Sequence, residues 1–146
     1  MLFRSSAECT HNHPEGIKGA QATALAIMMA RHGCDKNEIR SEIEKRFEYD
    51  LQFTCEQIRP TYTWGGTCQD SVPQAIVAFL DGEDYEDSIR NAISIGGDSD
   101  TIGCITGSIA EAYFGVPADL RNSAMNYLPE EFQSIISEFE NKFGNK

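Results

Sequence analysis

The sequence lacks the features of a membrane protein or a nucleic-acid binder. No apolar run approaches the roughly 20 residues of a membrane-spanning helix. Residues 1–6 contain no apolar core of the kind that a signal peptide needs. Basic residues are scarce, at 12 against 23 acidic ones, for a formal net charge of -11, and they form no cluster. We therefore expect neither nucleic acid nor a membrane surface as a partner.

Cysteines are few and poorly placed for covalent or metal cross-links. The five are odd in number, widely spaced and without a CxxC pair; they are Cys9, Cys34, Cys55, Cys68 and Cys104. This spacing argues against a disulfide framework and against a structural zinc site. It predicts a reducing compartment, the cytoplasm.

Strand signals are also missing, and the pattern is helical almost throughout. With 146 residues and 40% hydrophobic content, the chain is long enough for one domain with a real core, spanning residues 1–146. The long stretch 50–69 has no helical period and is expected to be loop, with at most one short turn at 55–59. The predicted class is all-α, with helices expected at 15–32, after Asp35, from about 71 to 80 with Pro73 in the first turn, from 84 to about 95, 100 or 101 to 115, 118–127 and 130–143.

Asp35, with Glu38 three residues on, is expected to form a capping box, and Asp84 to cap the helix that follows it. In the helix after Asp84, the side chains expected to face inward are Ile89, Ala92 and Ile93.

The segment from Ile95 to Thr101 is the one most suggestive of chemistry. Two glycines allow a sharp turn between two helices, and they are followed by Asp98, Asp100 and Thr101. The first and third residues of an Asp-x-Asp unit project to the same side of an extended chain. Carboxylate and hydroxyl oxygens suit a hard cation such as Mg²⁺ or Ca²⁺ better than zinc.

A structural explanation of the same residues stays open at this point. Asp98 or Asp100 alone would serve as the N-cap of the helix that begins near Thr101. An EF-hand does not fit, because Ile102 and Ile109 stand where its loop needs oxygen ligands.

Three other elements are weaker candidates for function. His11 and His13 form a His-x-His pair without a nearby third ligand, so loop or capping roles, or a contact to a ligand oxygen, are the better interpretations. Asp70 or Ser71 is expected to cap the following helix. Small residues at helical spacing after Thr101 predict tight helix packing; they are Gly103, Gly107 and Ala110.

Three segments together resemble the ADP-ribosylglycohydrolase family. They are Thr-His-Asn-His-Pro-Glu-Gly-Ile-Lys-Gly-Ala at 10–20, Ser-Val-Pro-Gln-Ala-Ile at 71–76, and Asn-Ala-Ile-Ser-Ile-Gly-Gly-Asp-Ser-Asp-Thr at 91–101. Their order and spacing match across nearly the whole chain. The last segment is highly specific to that family.

The resemblance implies an all-α fold, a binuclear magnesium centre and hydrolysis of the glycosidic bond that links ADP-ribose to a modified acceptor. It implies metal ligation by Asp98, Asp100 and Thr101, and substrate contacts at His11, Gly97 and Ser99. ADP-ribose or an ADP-ribosylated substrate would be the partner. The aromatic loop at Tyr62 and Trp64 would lie near the substrate mouth. No catalytic base is assigned.

The resemblance covers the C-terminal half of the family's fold. The family's earlier half carries a Thr/Ser-Asp-Asp-Thr metal motif and a glycine-rich diphosphate loop, and neither occurs in this sequence. We therefore expect a partial metal site and little or no activity from the chain alone. Three accounts follow: a hydrolase that needs the other half, a non-catalytic module that binds ADP-ribose or a protein, and a homo-oligomer that covers an exposed apolar face.

Overall fold

The computed structural model describes residues 5, 7–10 and 12–144. Within these ranges all regular structure is helical, which confirms the predicted all-α class. In chain order the helices are α1 (Pro14–Arg31), α2 (Lys36–Phe47), α3 (Cys55–Ile58), α4 (Cys68–Asp81), α5 (Tyr85–Ile95), α6 (Ser99–Phe114), α7 (Ala118–Met125) and α8 (Glu130–Phe143).

The chain divides into two compact units, Met1–Gly115 and Val116–Lys146. The first unit is organised around α4, in which every residue from Ser71 to Leu80 except Gln74 is buried. A helix that is apolar on nearly all sides is expected to lie inside a bundle. Helices α1, α5 and α6 pack around α4, and this arrangement positions the site described below.

Small residues and one buried hydroxyl set the close packing of this unit. The buried face of α1 consists of Gly19, Ala22, Ala26 and Ala30. Between α4 and α6, the fully buried Thr106 hydroxyl donates a hydrogen bond of 2.9 Å to the carbonyl oxygen of Ala75. The hydroxyl thereby pairs with a group inside the core, as most buried polar atoms do.

Two helix starts follow the capping rules. Asp35 caps α2 in a complete capping box with Glu38, with backbone-to-carboxylate distances of 2.9 Å and 2.8 Å. Asp84 caps α5 by accepting from the backbone N–H of Asp87 at 2.8 Å. Both caps confirm the predictions from sequence.

The start of α4 differs from the prediction. The helix begins at Cys68 rather than near Ser71, and Thr67, not Asp70 or Ser71, occupies the N-cap position. Asp70 instead lies in the first turn, where its carboxylate accepts a hydrogen bond from the Thr67 hydroxyl at 2.7 Å. Pro73 is consequently inside the helix, where the packing of the buried residues around it outweighs the loss of one backbone hydrogen bond.

The predicted inward position of Ile93 is also wrong. Ile93 in α5 is 52% exposed, whereas Ala92 and Ile95 on the same helix are buried. Its Cδ1 nevertheless covers Gly103 of α6, since a Cβ added there would lie 3.3 Å from it. Ile93 therefore lies at the edge of the contact between α5 and α6 and not in the core.

A single lysine connects three helices of the first unit. The ammonium of Lys36, at the start of α2, donates to the carbonyl oxygen of Leu80 at 3.1 Å and also to that of Gly82, at the end of α4. It lies 5.1–5.9 Å from the ring centroids of Phe79, Tyr113 and Phe114. Burial lowers the pKa of this amine, and nearby carboxylates, Asp81 first, partly offset that shift.

The second unit consists of α7 and α8 and has no buried residue in either helix. Large apolar side chains recur at helical spacing along one face of α8 and are all at least half exposed; they are Phe132, Ile135, Phe139 and Phe143. An ion pair between Arg121 and Glu140 joins its two helices.

None of the helices in the described residues is both long enough and apolar enough to cross a membrane.

Candidate metal-binding turn and its neighbouring pocket

A two-glycine turn connects α5 to α6 and carries the predicted metal ligands. Gly96 and Gly97 both have positive φ angles, +81° and +64°, which side-chain-bearing residues rarely adopt. A Cβ on Gly97 would also overlap the ring of Tyr62 and lie 3.3 Å from the carbonyl oxygen of Thr63. Gly97 is therefore required both by its backbone angle and by this close contact.

Asp98 occupies the N-cap position of α6 but makes no capping hydrogen bond with its side chain. The structural explanation from sequence, in which Asp98 caps the helix through its carboxylate, therefore does not describe this geometry. Ser99 is the first residue of α6 and Asp100 the second, one position earlier than the predicted start.

The carboxyl groups of Asp98 and Asp100 lie next to each other. A side-chain hydrogen bond with Asp98 is the main cause that lowers the pKa of Asp100, and backbone hydrogen bonds at Thr101 and at Asp100 itself add to the shift. Asp100 and Thr101 are exposed to solvent, whereas Asp98 is partly covered. Together with the hydroxyl of Thr101, the next residue of the chain, the two carboxyl groups give this segment three oxygen-bearing side chains.

These donors fit a hard divalent cation, though only as part of a coordination shell. Mg²⁺ takes six oxygen ligands, and water commonly supplies several of them. Among the residues that the structure describes, no group of three or more His, Cys, Asp or Glu side chains is placed to hold a metal. The turn therefore offers two carboxylates and the Thr101 hydroxyl, and the remaining ligands must come from elsewhere.

A pocket of about 330 Å³ lies on the other side of Tyr62. Its described lining comes from the end of α3, the loop that follows and the first turns of α4, namely Ile58, Thr61, Tyr62, Thr63, Trp64, Gly65, Asp70 and Gln74. None of these side chains is basic, and Asp70 contributes a carboxylate. Trp64 is 70% exposed, so its indole forms an open wall.

Tyr62 lines this pocket and also packs against the two-glycine turn. Its hydroxyl donates a hydrogen bond to the carbonyl oxygen of Asp70, in the first turn of α4. Burial raises the pKa of Tyr62, and the negative charges of Asp70 and Asp98 add to that shift. The Asp98 carboxylate is thus close enough to Tyr62 for the two to interact electrostatically.

The other predicted site residues have mixed outcomes. His11 lies outside the described residues. His13 caps α1, because its Nδ1 accepts a hydrogen bond from the backbone N–H of Glu15 at 3.3 Å. Gly97 is the last residue of the turn before Asp98, and Ser99 begins α6 directly after Asp98.

The small residues of α6 have the structural role that was expected. A Cβ on Gly107 would lie 3.2 Å from Cδ1 of Ile89 in α5, and Gly103 makes the matching contact with Ile93. These glycines let α5 and α6 approach closely just beyond the turn that joins them. They therefore support the turn without contributing a ligand group.

Comparison with known proteins identifies the family of this chain. The family model of the ADP-ribosylglycohydrolases matches residues 2–146. The chain belongs to the ADP-ribosylglycohydrolase family. An uncharacterized protein of Archaeoglobus fulgidus is 31% identical over 127 residues, which cover 77% of this chain and 42% of that protein.

Two named relatives are similar to this ADP-ribosylglycohydrolase chain. The human ADP-ribosylhydrolase ARH3 is 29% identical over 142 residues, covering 88% of this chain and 36% of ARH3. The ADP-ribosylarginine hydrolase Tri1 of Pseudomonas putida is 27% identical over 122 residues, covering 77% and 32%. The chain thus spans well under half the length of the relatives it matches.

Proposed function

We propose that this chain forms one side of an ADP-ribosylglycohydrolase active site and binds a divalent cation together with an ADP-ribosyl group. The observation that carries the proposal is the Asp98 carboxylate, which occupies an N-cap position without capping and lies next to that of Asp100. Both follow a glycine turn in a chain that matches the family over residues 2–146. The names of ARH3 and Tri1 support ADP-ribosylated molecules as the substrate class.

Because the chain is strongly negative, an anionic ligand is expected to bind through a cation. With a net charge of -11, the protein repels a diphosphate unless a positive charge is held between them. Asp98, Asp100 and Thr101 would hold Mg²⁺ through oxygen atoms, which are the ligands this ion prefers. Bound there, the ion would supply positive charge for the ribose hydroxyls and for an attacking water.

The protein residues orient the ligand around that point. Gly97 and Ser99 present backbone groups beside the carboxylates, and α6 directs its N-terminal end, with its partial positive charge, at the same place. The pocket at Trp64 and Asp70 has no described basic side chain, so it suits the acceptor part of a substrate better than the diphosphate.

Binding is proposed for the chain itself, and hydrolysis for the chain together with further ligands. Three protein oxygens are half of the six that Mg²⁺ takes, and no general base is assigned among the described residues. A non-catalytic ADP-ribose-binding module is the alternative. Both alternatives require the same ligand to bind, and they differ in whether the bond is cleaved once a complementary polypeptide completes the site.

The proposal is tested by titrating ADP-ribose into the chain by calorimetry, with and without Mg²⁺. We expect binding that needs Mg²⁺ and is lost in the double variant Asp98→Ala/Asp100→Ala. The matched control is Asp119→Ala/Glu131→Ala, which removes two acidic side chains from the second unit and should bind as the unmodified chain does. Absence of binding at millimolar ADP-ribose, or equal binding by both double variants, would refute the proposal.

A further inference from the structure

Tyr62 connects the two elements that carry the candidate site. Its hydroxyl is hydrogen-bonded to the Asp70 carbonyl in the first turn of α4, and its ring packs against Gly97 in the turn before α6. The residue lies in an irregular segment between α3 and α4. Its position is therefore fixed by these contacts rather than by a helix of its own.

The turn that Tyr62 contacts contains two consecutive glycines, which lose more conformational entropy on ordering than residues with side chains. Asp98, immediately after them, makes no side-chain capping bond to the α6 backbone, whereas its carbonyl oxygen is tied into the helix by accepting from the backbone N–H of Ile102 at 2.9 Å. The ring of Tyr62, which would overlap a Cβ of Gly97, contacts the glycine backbone from outside the turn.

We propose that Tyr62 is a positioning residue for the bound cation, acting through Gly97 to hold Asp98 in the geometry that ligation needs. The inference rests on the proposed function, because it presupposes that Asp98 and Asp100 bind a cation. Tyr62 itself is not proposed as a ligand, because its hydroxyl donates to the Asp70 carbonyl oxygen on α4.

The two parts of the side chain have separable tasks. The ring fills the space beside Gly97, while the hydroxyl fixes the ring to α4. Tyr62→Phe keeps the first contact and removes the second, whereas Tyr62→Leu removes both. Loss of groups that orient metal ligands typically weakens metal binding about 10- to 100-fold. We therefore expect Tyr62→Leu to show a loss in this range and Tyr62→Phe a smaller one.

The experiment measures Mn²⁺ binding to the full chain by water-proton relaxation, with Mg²⁺ as competitor. Mn²⁺ takes the same oxygen ligands as Mg²⁺ and is detected even when it binds weakly. Tyr127→Leu is the matched control, because Tyr127 is 89% exposed in the second unit and should leave the affinity unchanged. Circular dichroism confirms that each variant is folded at the temperature of the measurement.

A second pair of variants separates positioning from a general loss of structure. Gly97→Ala should weaken Mn²⁺ binding in the presence of Tyr62, because the new Cβ meets the ring. In a Tyr62→Leu background the same change should have a smaller further effect, since the obstructing ring is gone. Additive effects of the two substitutions would contradict a direct action of Tyr62 on the turn.

Asp98→Asn and Tyr62→Leu together distinguish a wrong metal site from a wrong role for Tyr62. If Asp98→Asn leaves Mn²⁺ affinity unchanged, the metal site is refuted and the role of Tyr62 with it. If Asp98→Asn abolishes binding while a folded Tyr62→Leu variant binds like the unmodified chain, the metal site stands and only the positioning role is refuted.

Discussion

Tyr49 has a phenol hydroxyl that is buried and finds no hydrogen-bond partner among the described residues. The side chain as a whole is 6% exposed, and the Lys18 ammonium lies 4.5 Å from its ring centroid. Burial, followed by the negative potentials of Cys68 and Glu15, raises the pKa of Tyr49 from 10.0 to about 12. The protein therefore stabilises the neutral phenol.

We expect Tyr49→Phe to leave stability at pH 7 unchanged or to raise it by about 1 kcal/mol, because the substitution removes a buried hydroxyl that has no hydrogen-bond partner among the described residues. In the unmodified chain the raised pKa contributes stability below pH 10, and this is lost as the pH rises from 10 towards 12, by up to about 2 kcal/mol. The variant should lack this loss. Urea unfolding followed by circular dichroism across that range measures both effects.

The thiol of Cys55, whose pKa burial also raises to about 12, is present in both proteins and cancels in their difference. A destabilisation well above 1 kcal/mol at pH 7 would show that the Tyr49 hydroxyl has a partner after all.

From the sequence we predict the oxygen donors that follow the turn, but not the aromatic ring that packs against it. Asp98, Asp100 and Thr101 are recognisable because they are contiguous after two glycines. Tyr62 is 35 positions before Gly97, and nothing in its local sequence indicates that its ring would lie against that turn. The excess of aromatic residues in an irregular segment was the only available signal, and it pointed to the substrate mouth.

At the scale of elements, Lys36 has the clearest structural role. It begins α2, its ammonium donates to carbonyl groups at the end of α4, and it lies among rings from α4 and α6. Cations are favourable at a helix C-terminus and against aromatic faces. The residue therefore links three helices by interactions that the helical pattern of α2 does not show.

We expect Lys36→Met to lower the free energy of unfolding by about 1–3 kcal/mol, because the aliphatic stem is kept while charged hydrogen bonds are lost. Lys45→Met is the control: it removes the same charge from an exposed position of the same helix and should change stability by no more than about 0.5 kcal/mol. Equal effects of the two substitutions in urea unfolding would refute a specific role for Lys36.

Element boundaries were predicted well where local chemistry sets them and badly where packing does. Asp35 and Asp84 define helix starts through their own side chains, so the sequence suffices. At α4, Pro73 suggested a later start, but the helix begins at Cys68, with an exposed first turn ahead of the buried stretch Ser71–Leu80. That burial depends on α1, α5 and α6, which no local window contains.

On the scale of the whole molecule, the second unit carries an exposed apolar surface that favours association. Its helices bury no residue, and the apolar face of α8 runs through Phe132, Ile135, Phe139 and Phe143. Exposed apolar faces of this kind favour association. The net charge of -11 opposes association between copies, and this repulsion weakens as salt screens it.

We expect sedimentation equilibrium to show self-association that increases from about 0.05 M to 0.5 M NaCl, since the Debye length falls over that range. Phe139→Asp should abolish it. Ser137→Asp, which adds the same charge on the opposite face of α8, should not. A chain that remains monomeric at several hundred micromolar in high salt would show that this face does not join two copies.

The exposure of Trp64 determines what tryptophan fluorescence reports in this protein. It is the only tryptophan, and its indole is already in contact with water in the folded protein. Its emission is therefore that of a solvated indole before denaturant is added, and unfolding of the bundle around α4 will change it little. A ligand that covers the wall of the pocket will change it much more. Intrinsic fluorescence is thus a poor gauge of folding in this protein and a direct reporter of occupancy.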